Sequence, residues 1–232
     1  LQPPAIAVLF TFLVPPDLAD AAQAPGYAGL LDELSCGMKS LLRGHQGYFC
    51  QMVDPGCLMA SFARVQDALQ YAAELQGLLG ALRPPAGLPA AADLYPSESG
   101  IFYDQQRARE FAAQLGPLRV GTGIAFGPPS NVKAHPVTGR ADYFGSVVNL
   151  AARLASAAHG GQILLEGSPA ALLHAENTAG LDFAPLGRFK FRGITKGRGV
   201  PVVEVGPQEL AFMERRWPDL AENGVAAHGI PL

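Results

Sequence analysis

The run Ile6 to Val14, IAVLFTFLV, carries no charge and no polar alternation, and Pro15-Pro16 ends it. A strand patterned in this way is buried on both faces, so it belongs inside a sheet that is covered on each side. Further along, Leu30, Leu34, Met38, Leu41 and Leu42 keep a helical period and predict a helix over about Tyr27 to Leu42. Gly47 to Met52 and Cys57 to Phe62 read as strands on either side of Asp54-Pro55-Gly56, where Pro fixes φ and Gly accepts a left-handed backbone. A second helix is expected over about Val65 to Leu82, with a strand from Leu118. Strand, helix, hairpin, helix, strand is an α+β order: a ferredoxin-like βαββαβ core, here with further C-terminal strands and helices.

Arg83 to Gly100, with Pro84, Pro85, Pro89 and Pro96 among small residues, interrupts this pattern and reads as an exposed insertion. With the short helix expected over Phe102 to Leu115, it makes an inserted stretch at about 83–117. Residues 1–205 are expected to form one domain, and 206–232 an extension beyond it. At 232 residues and 49% hydrophobic, the chain has material for one core or at most two. Its 17 basic and 20 acidic residues leave a net charge of −3, which is no footprint for a nucleic-acid backbone. An RNA-recognition sheet shares the core topology, but its aromatic strand motif is missing. No apolar run reaches membrane-spanning length, and no basic stretch precedes a cleavage site. Leu1 in place of Met is the start expected of a piece of a larger protein. Cys36, Cys50 and Cys57 lack metal-ligand spacing and are read as reduced, mostly structural thiols. His135 and His159 are isolated and expected at the surface, and Phe183, Phe189 and Phe191 are expected to pack a core.

The chemistry concentrates in His135 to Arg153, HPVTGRADYFGSVVNLAAR. From Gly145 onward, Val148, Leu150, Ala151, Ala152 and Leu154 predict the buried stripe of a helix. Asn149 and Arg153 lie four apart, so they share one helix face, one turn above the other. An amide beside a fork of guanidinium donors suits an anionic group that gains charge, such as a transferring phosphoryl centre. Asp142, just upstream, has the chemistry to accept hydrogen bonds from a base's exocyclic amine. Taken one at a time, each of these residues is also an ordinary loop or helix-surface residue.

Together, Asp142, Gly145, Val148, Asn149, Ala151, Ala152 and Arg153 resemble the D-x-x-G-x-x-V-N-x-A-A-R pattern of the class III adenylyl and guanylyl cyclases. The likeness runs in family order from Ala5 to Val205, through Ala5 to Leu13, the Gly47 to Phe62 hairpin, Leu118 to Phe126, Gly161 to Glu166, and Leu186 to Val205 as a closing hairpin. The resemblance implies a site shared across a dimer. One half holds two divalent ions on two aspartates, and the other reads the base and stabilises the transition state.

The metal half is where this sequence departs from the pattern. Phe10-Thr11 is followed by Phe12 where the first aspartate is expected. At the hairpin, counting from Gly47 puts Pro55 at the second position and counting back from Phe62 puts Cys57 there; Asp54 is nearby, as a turn residue. The other half is better kept. By resemblance, Asn149 orients the ribose, Arg153 neutralises phosphate charge and Asp142 accepts from the adenine amine. Gln51 stands where that aspartate's usual Lys partner is expected, and Arg192, with Lys196 nearby, where a triphosphate-binding Lys is expected.

The expectation is therefore a metal-deficient cyclase homology domain, the base-binding half of an adenylyl cyclase. Its partner would be a second cyclase homology domain, in a hetero- or homodimer, and its substrate a nucleoside triphosphate. Mg²⁺ or Mn²⁺ is expected from the partner half and none from this chain alone. A homodimer would repeat each deficit twice, so the chain by itself is expected to be inactive. Alternatives are a catalytically inactive pseudocyclase acting as a regulatory or scaffolding partner, and a guanylyl cyclase half. The domain is expected in the cytoplasm, with no nucleic acid bound and no direct membrane insertion.

Overall fold

The computed structural model describes residues 3–14, 24–86, 88, 116–136, 138–176, 178–191, 193–194, 199–207 and 229–230. The elements run β1 (Ile6–Val14), α1 (Tyr27–Gly44), β2 (Tyr48–Met52), β3 (Leu58–Phe62), α2 (Val65–Ala81), β4 (Arg119–Gly127), β5 (Asn131–Ala134), β6 (Ala141–Phe144), α3 (Ser146–Ala157), β7 (Ile163–Glu166), α4 (Pro169–Ala175), β8 (Leu181–Phe191), β9 (Val200–Pro207) and β10 (Gly229–Ile230). The main sheet has the order β10-β8-β9-β7-β4-β1-β3-β2, and β5 and β6 form a separate two-stranded ladder. Its β4-β1-β3-β2 part is the expected βαββαβ core. The short helix expected over Phe102 to Leu115, like most of the inserted stretch, lies outside the described residues.

Strand β1 is covered on both faces, although it pairs antiparallel with both β3 and β4. Ala7 and Leu9 belong to one apolar cluster and Val8 to another, so successive side chains feed opposite layers. The first layer packs Leu30, Leu34, Met38 and Leu42 of α1 and Leu69, Leu75 and Leu79 of α2 against the sheet. The second packs Val147, Leu150, Ala151 and Leu154 of α3 against the other face, together with Phe189 and Phe191. Double cover, more than strand direction, makes the β1 sequence continuously apolar.

Glycine brings α3 close to the sheet. Gly121 and Gly123 of β4 sit under the helix, and a Cβ at Gly123 would meet the Ala155 nitrogen at 2.1 Å and the Ala151 oxygen at 2.4 Å. No side chain fits between strand and helix there, so α3 rests backbone against backbone. The buried stripe of α3 is Val147, Leu150, Ala151, Leu154, Ala155 and Ala157. Val148 and Ala152, expected within it, are only half-buried.

The β2–β3 hairpin closes on a turn in which the Cys57 N–H donates to the Asp54 carbonyl at 2.9 Å. Gly56, at φ 78°, takes the left-handed position that this turn requires after Pro55. The ladder slips between Phe49 and Gln51, so β2 carries a bulge at Cys50. His135 and His159 are half-buried rather than at the surface.

Candidate active site

Asn149 and Arg153 project from the exposed face of α3, opposite the buried stripe that holds the helix on the sheet. Four residues apart, they stand one turn above the other with both polar ends free to meet a ligand. Leu150, Leu154 and the glycine-seated contact fix the helix, and so fix where both side chains leave the backbone. Asp142 lies on β6, immediately before α3, and is half-buried. Its register partner across the β5–β6 ladder is Lys133, whose ammonium lies over the Phe144 ring at 5.9 Å. Asp142 forms no ion pair among the described residues, which leaves its carboxylate oxygens able to accept.

Strand β2 meets β6 through Tyr48 and Phe49, and Cys50 between Phe49 and Gln51 is buried. Burial pushes the Cys50 thiol up to about 12; the Asp142 charge adds to that effect, while the Ser61 hydroxyl and Arg140 oppose it. Cys50 is thus a neutral, weakly polar group that the Asp142 charge reaches. Gln51 turns its amide to the Met59 sulfur, 3.7 Å away. The bulge therefore brings Cys50 as well as Gln51 to the α3 side of the sheet, where Met59 also packs. Counting along the strand selects Gln51 alone and misses Cys50, because the bulge that turns both to one side leaves no local signal in the sequence. Arg192 and Lys196 lie outside the described residues.

The positions expected for metal ligands do not fit a divalent ion. Phe12 offers a ring stacked on Phe10, with centroids 6.3 Å apart. The hydroxyl of Thr11 beside it is committed: it donates to the Gly56 carbonyl at 2.7 Å and accepts from the Leu58 N–H at 3.0 Å. That pair of bonds ties the hairpin turn to the end of β1. Asp54 is exposed on the turn, and Cys57 is a half-buried free thiol. Among the described residues no cluster of three or more His, Cys, Asp or Glu is placed to hold an ion.

A cavity of about 510 Å³ lies at the other end of the sheet, between the N-terminus of α3 and the segment after β4, and Ser130, Ser146 and Glu166 line it. Burial raises the Glu166 carboxyl above its usual range, opposed by hydrogen bonds from the Phe126 N–H and from Ser168. Among the described residues no helix is long and apolar enough to cross a membrane.

Residues 102–203 match the family model of the adenylate and guanylate cyclase catalytic domain. The receptor-type adenylate cyclase ESAG 4 of Trypanosoma brucei brucei is 30% identical over 174 residues, which is 68% of this chain and 13% of that protein. An adenylate cyclase of Mycosarcoma maydis is 46% identical over 66 residues, 26% of this chain and 3% of its own length. The chain thus spans a small fraction of the curated relatives it matches. Among solved structures, a Trypanosoma brucei adenylate cyclase in its monomeric state superposes with a TM-score of 0.68 at 24% identity, over 87% of this chain and 89% of that one. The guanylate cyclase domain of RhGC from Catenaria anguillulae, in complex with GTP, gives 0.60 at 12% identity, over 89% and 98%. With the D-x-x-G-x-x-V-N-x-A-A-R residues in place on β6 and α3, the chain belongs to the adenylate and guanylate cyclase catalytic domain family.

Proposed function

We propose that this chain is the base-binding and transition-state half of a dimeric adenylyl cyclase, converting ATP to cyclic AMP and pyrophosphate with a partner domain that holds the metal ions. The observation that carries this is the contrast between the two halves of the site. Asn149 and Arg153 stand exposed on one helix face, while Phe12 and the Asp54 turn offer no ligand set.

In the reaction the ribose 3′-oxygen bonds to the α-phosphorus, and the bond from that phosphorus to the β-phosphate oxygen breaks. Arg153 supplies positive charge and two donors to the crowded α-phosphate as it gains charge. Asn149 holds the ribose so that the 3′-hydroxyl is in line. Asp142 accepts from the exocyclic amine of adenine, and Gln51 and Cys50 line the same side. Arg192 is assigned to the terminal phosphates. Any Mg²⁺ or Mn²⁺ would sit on the partner's aspartates, and the substrate places the domain in the cytoplasm. The catalytic unit runs over residues 1–205, with 206–232 as an extension whose Gly229–Ile230 strand pairs with β8.

The test is a cyclase assay of the purified chain alone and mixed with a cyclase domain that carries both metal aspartates. Activity only in the mixture, lost when Arg153 is replaced, supports the proposal. Chelator-sensitive activity of the chain alone would overturn it.

One observation favours a second reading, a pseudocyclase that keeps the fold and the dimer surface. The Gln51 amide faces Met59, so the basic partner of Asp142 is not rebuilt on β2. Failure of the pair to bind an ATP analogue, with the two domains still associating, would select it.

A further inference from the structure

We infer that Tyr48 and Arg140 are positioning residues for base binding, which fasten β6, and with it Asp142, to the edge of the main sheet. The inference rests on the proposal above that Asp142 faces the base. Among the described residues β5 and β6 pair only with each other, and β2 is the last strand of the main sheet on that side. No backbone ladder joins β6 to β2, so side chains make the connection. The Ala141 N–H donates to the Tyr48 hydroxyl oxygen at 2.7 Å. Arg140 donates through Nη1 to the Phe49 carbonyl at 3.3 Å, and its guanidinium lies over the Phe49 ring at 5.1 Å. The Tyr143 ring meets Tyr48 edge-on, with centroids 6.3 Å apart.

These contacts fall on residues 140, 141 and 143, on either side of Asp142, and none uses its carboxylate. The clamp therefore fixes where the acceptor sits while leaving it available to a ligand. Arg140 also occupies the Phe49 carbonyl, one of the backbone groups through which an edge strand would otherwise meet a new partner. A carboxylate on an unfastened two-stranded ladder would sample many positions, and a shift of about 1 Å is enough to spoil recognition.

The experiment uses the chain paired with a metal-competent cyclase domain, with a fluorescent ATP analogue and tripolyphosphate as separate probes. Tyr48→Phe keeps the ring on Tyr143 and removes only the acceptor; Arg140→Lys keeps charge and loses the planar fork. The double variant is expected to bind the ATP analogue about 10-fold more weakly, the size of one coupled contact, with tripolyphosphate binding unchanged. In an Asp142→Ala background the same two changes should cost nothing further. Equal losses for both probes, or full additivity with Asp142→Ala, would overturn the inference.

If the unsubstituted pair binds tripolyphosphate but not the ATP analogue, the base-facing role of Asp142 fails, and hydrogen exchange then judges the clamp. Amides of residues 141–144 should exchange faster in the double variant than in the original chain. Unchanged exchange there would show that nothing was fastened.

Discussion

Ala155 of α3 lies so close over Gly123 of β4 that an ideal Cβ on the glycine would come within 2.1 Å of the Ala155 amide nitrogen. Backbone is on the receiving side of that clash, so no rotamer change relieves it. The helix that carries Asn149 and Arg153 must therefore lift if this glycine gains a methyl group.

Gly123→Ala is expected to destabilise the chain by about 3 kcal/mol, at the upper end for overpacking a core. Gly139→Ala serves as the comparison, because nothing lies within 4 Å of a Cβ there and only its φ of +65° resists the change. Urea unfolding of both variants checks this, with the Gly123 variant losing clearly more. A midpoint close to that of the original chain would mean that α3 does not rest on the strand.

The three thiols should react in the order of their exposure. Cys36 is exposed, Cys57 half-buried and Cys50 buried. Burial pushes the Cys50 thiol up to about 12, so it is screened by chemistry as well as by burial. Iodoacetamide followed by mass spectrometry should label Cys36 first and Cys50 only after unfolding. Early labelling of Cys50 would mean that it does not pack on the α3 side of the sheet.

Glu166 gives a pH dependence with a defined sign. Its carboxyl is raised by burial in the folded chain, so the folded state holds the proton more tightly than the unfolded state does. That contribution to stability is fully present below the ordinary carboxylate range and is lost as pH rises through the raised value. Glu166→Gln removes the cost of ionising there and keeps an acceptor for the Phe126 N–H. The variant should melt higher than the original at pH 7 to 8, and the difference should close toward about pH 4, where the unfolded carboxyl also protonates. Melting curves that stay parallel across this range would deny the raised carboxyl.

The sheet core was legible because its signals are local and periodic: β1 is apolar but for Thr11, α1 repeats Leu30, Leu34, Met38, and Asp54-Pro55-Gly56 spells its turn. The junction at Asp142, Asn149 and Arg153 was legible as a motif, and Asn149 and Arg153 stand exposed on one helix face as their spacing requires. What escaped the sequence came from shifts of a single residue. The bulge at Cys50 puts an extra residue on β2, so Cys50 joins Gln51 on the α3 side. On α3 the buried valine is Val147, not Val148, because two adjacent valines fit a short helical stripe almost equally well. The contacts that hold β6, from Tyr48 and Arg140, link residues more than 90 apart in the chain, and no local pattern announces them.

Arg153→Ala in an active pair bears most directly on the mechanism. Arg153 is exposed and carries no salt bridge among the described residues, so its removal should leave folding nearly untouched. Any effect on turnover then reports on the site. If its guanidinium meets charge that grows on the α-phosphate, kcat should fall roughly 10²- to 10³-fold, the scale for losing one oriented donor at a developing anion. KM should change far less, because the contact strengthens only on the way to the transition state. Arg153→Lys should recover part of the rate, since it restores charge without the fork. Asn149→Ala should act in the same direction through loss of ribose orientation. Steady-state kinetics with a partner that carries both metal aspartates separates these cases. A pair whose turnover ignores Arg153 would mean that the chemistry is completed without this face of α3, leaving the chain the role of a folded, non-catalytic partner.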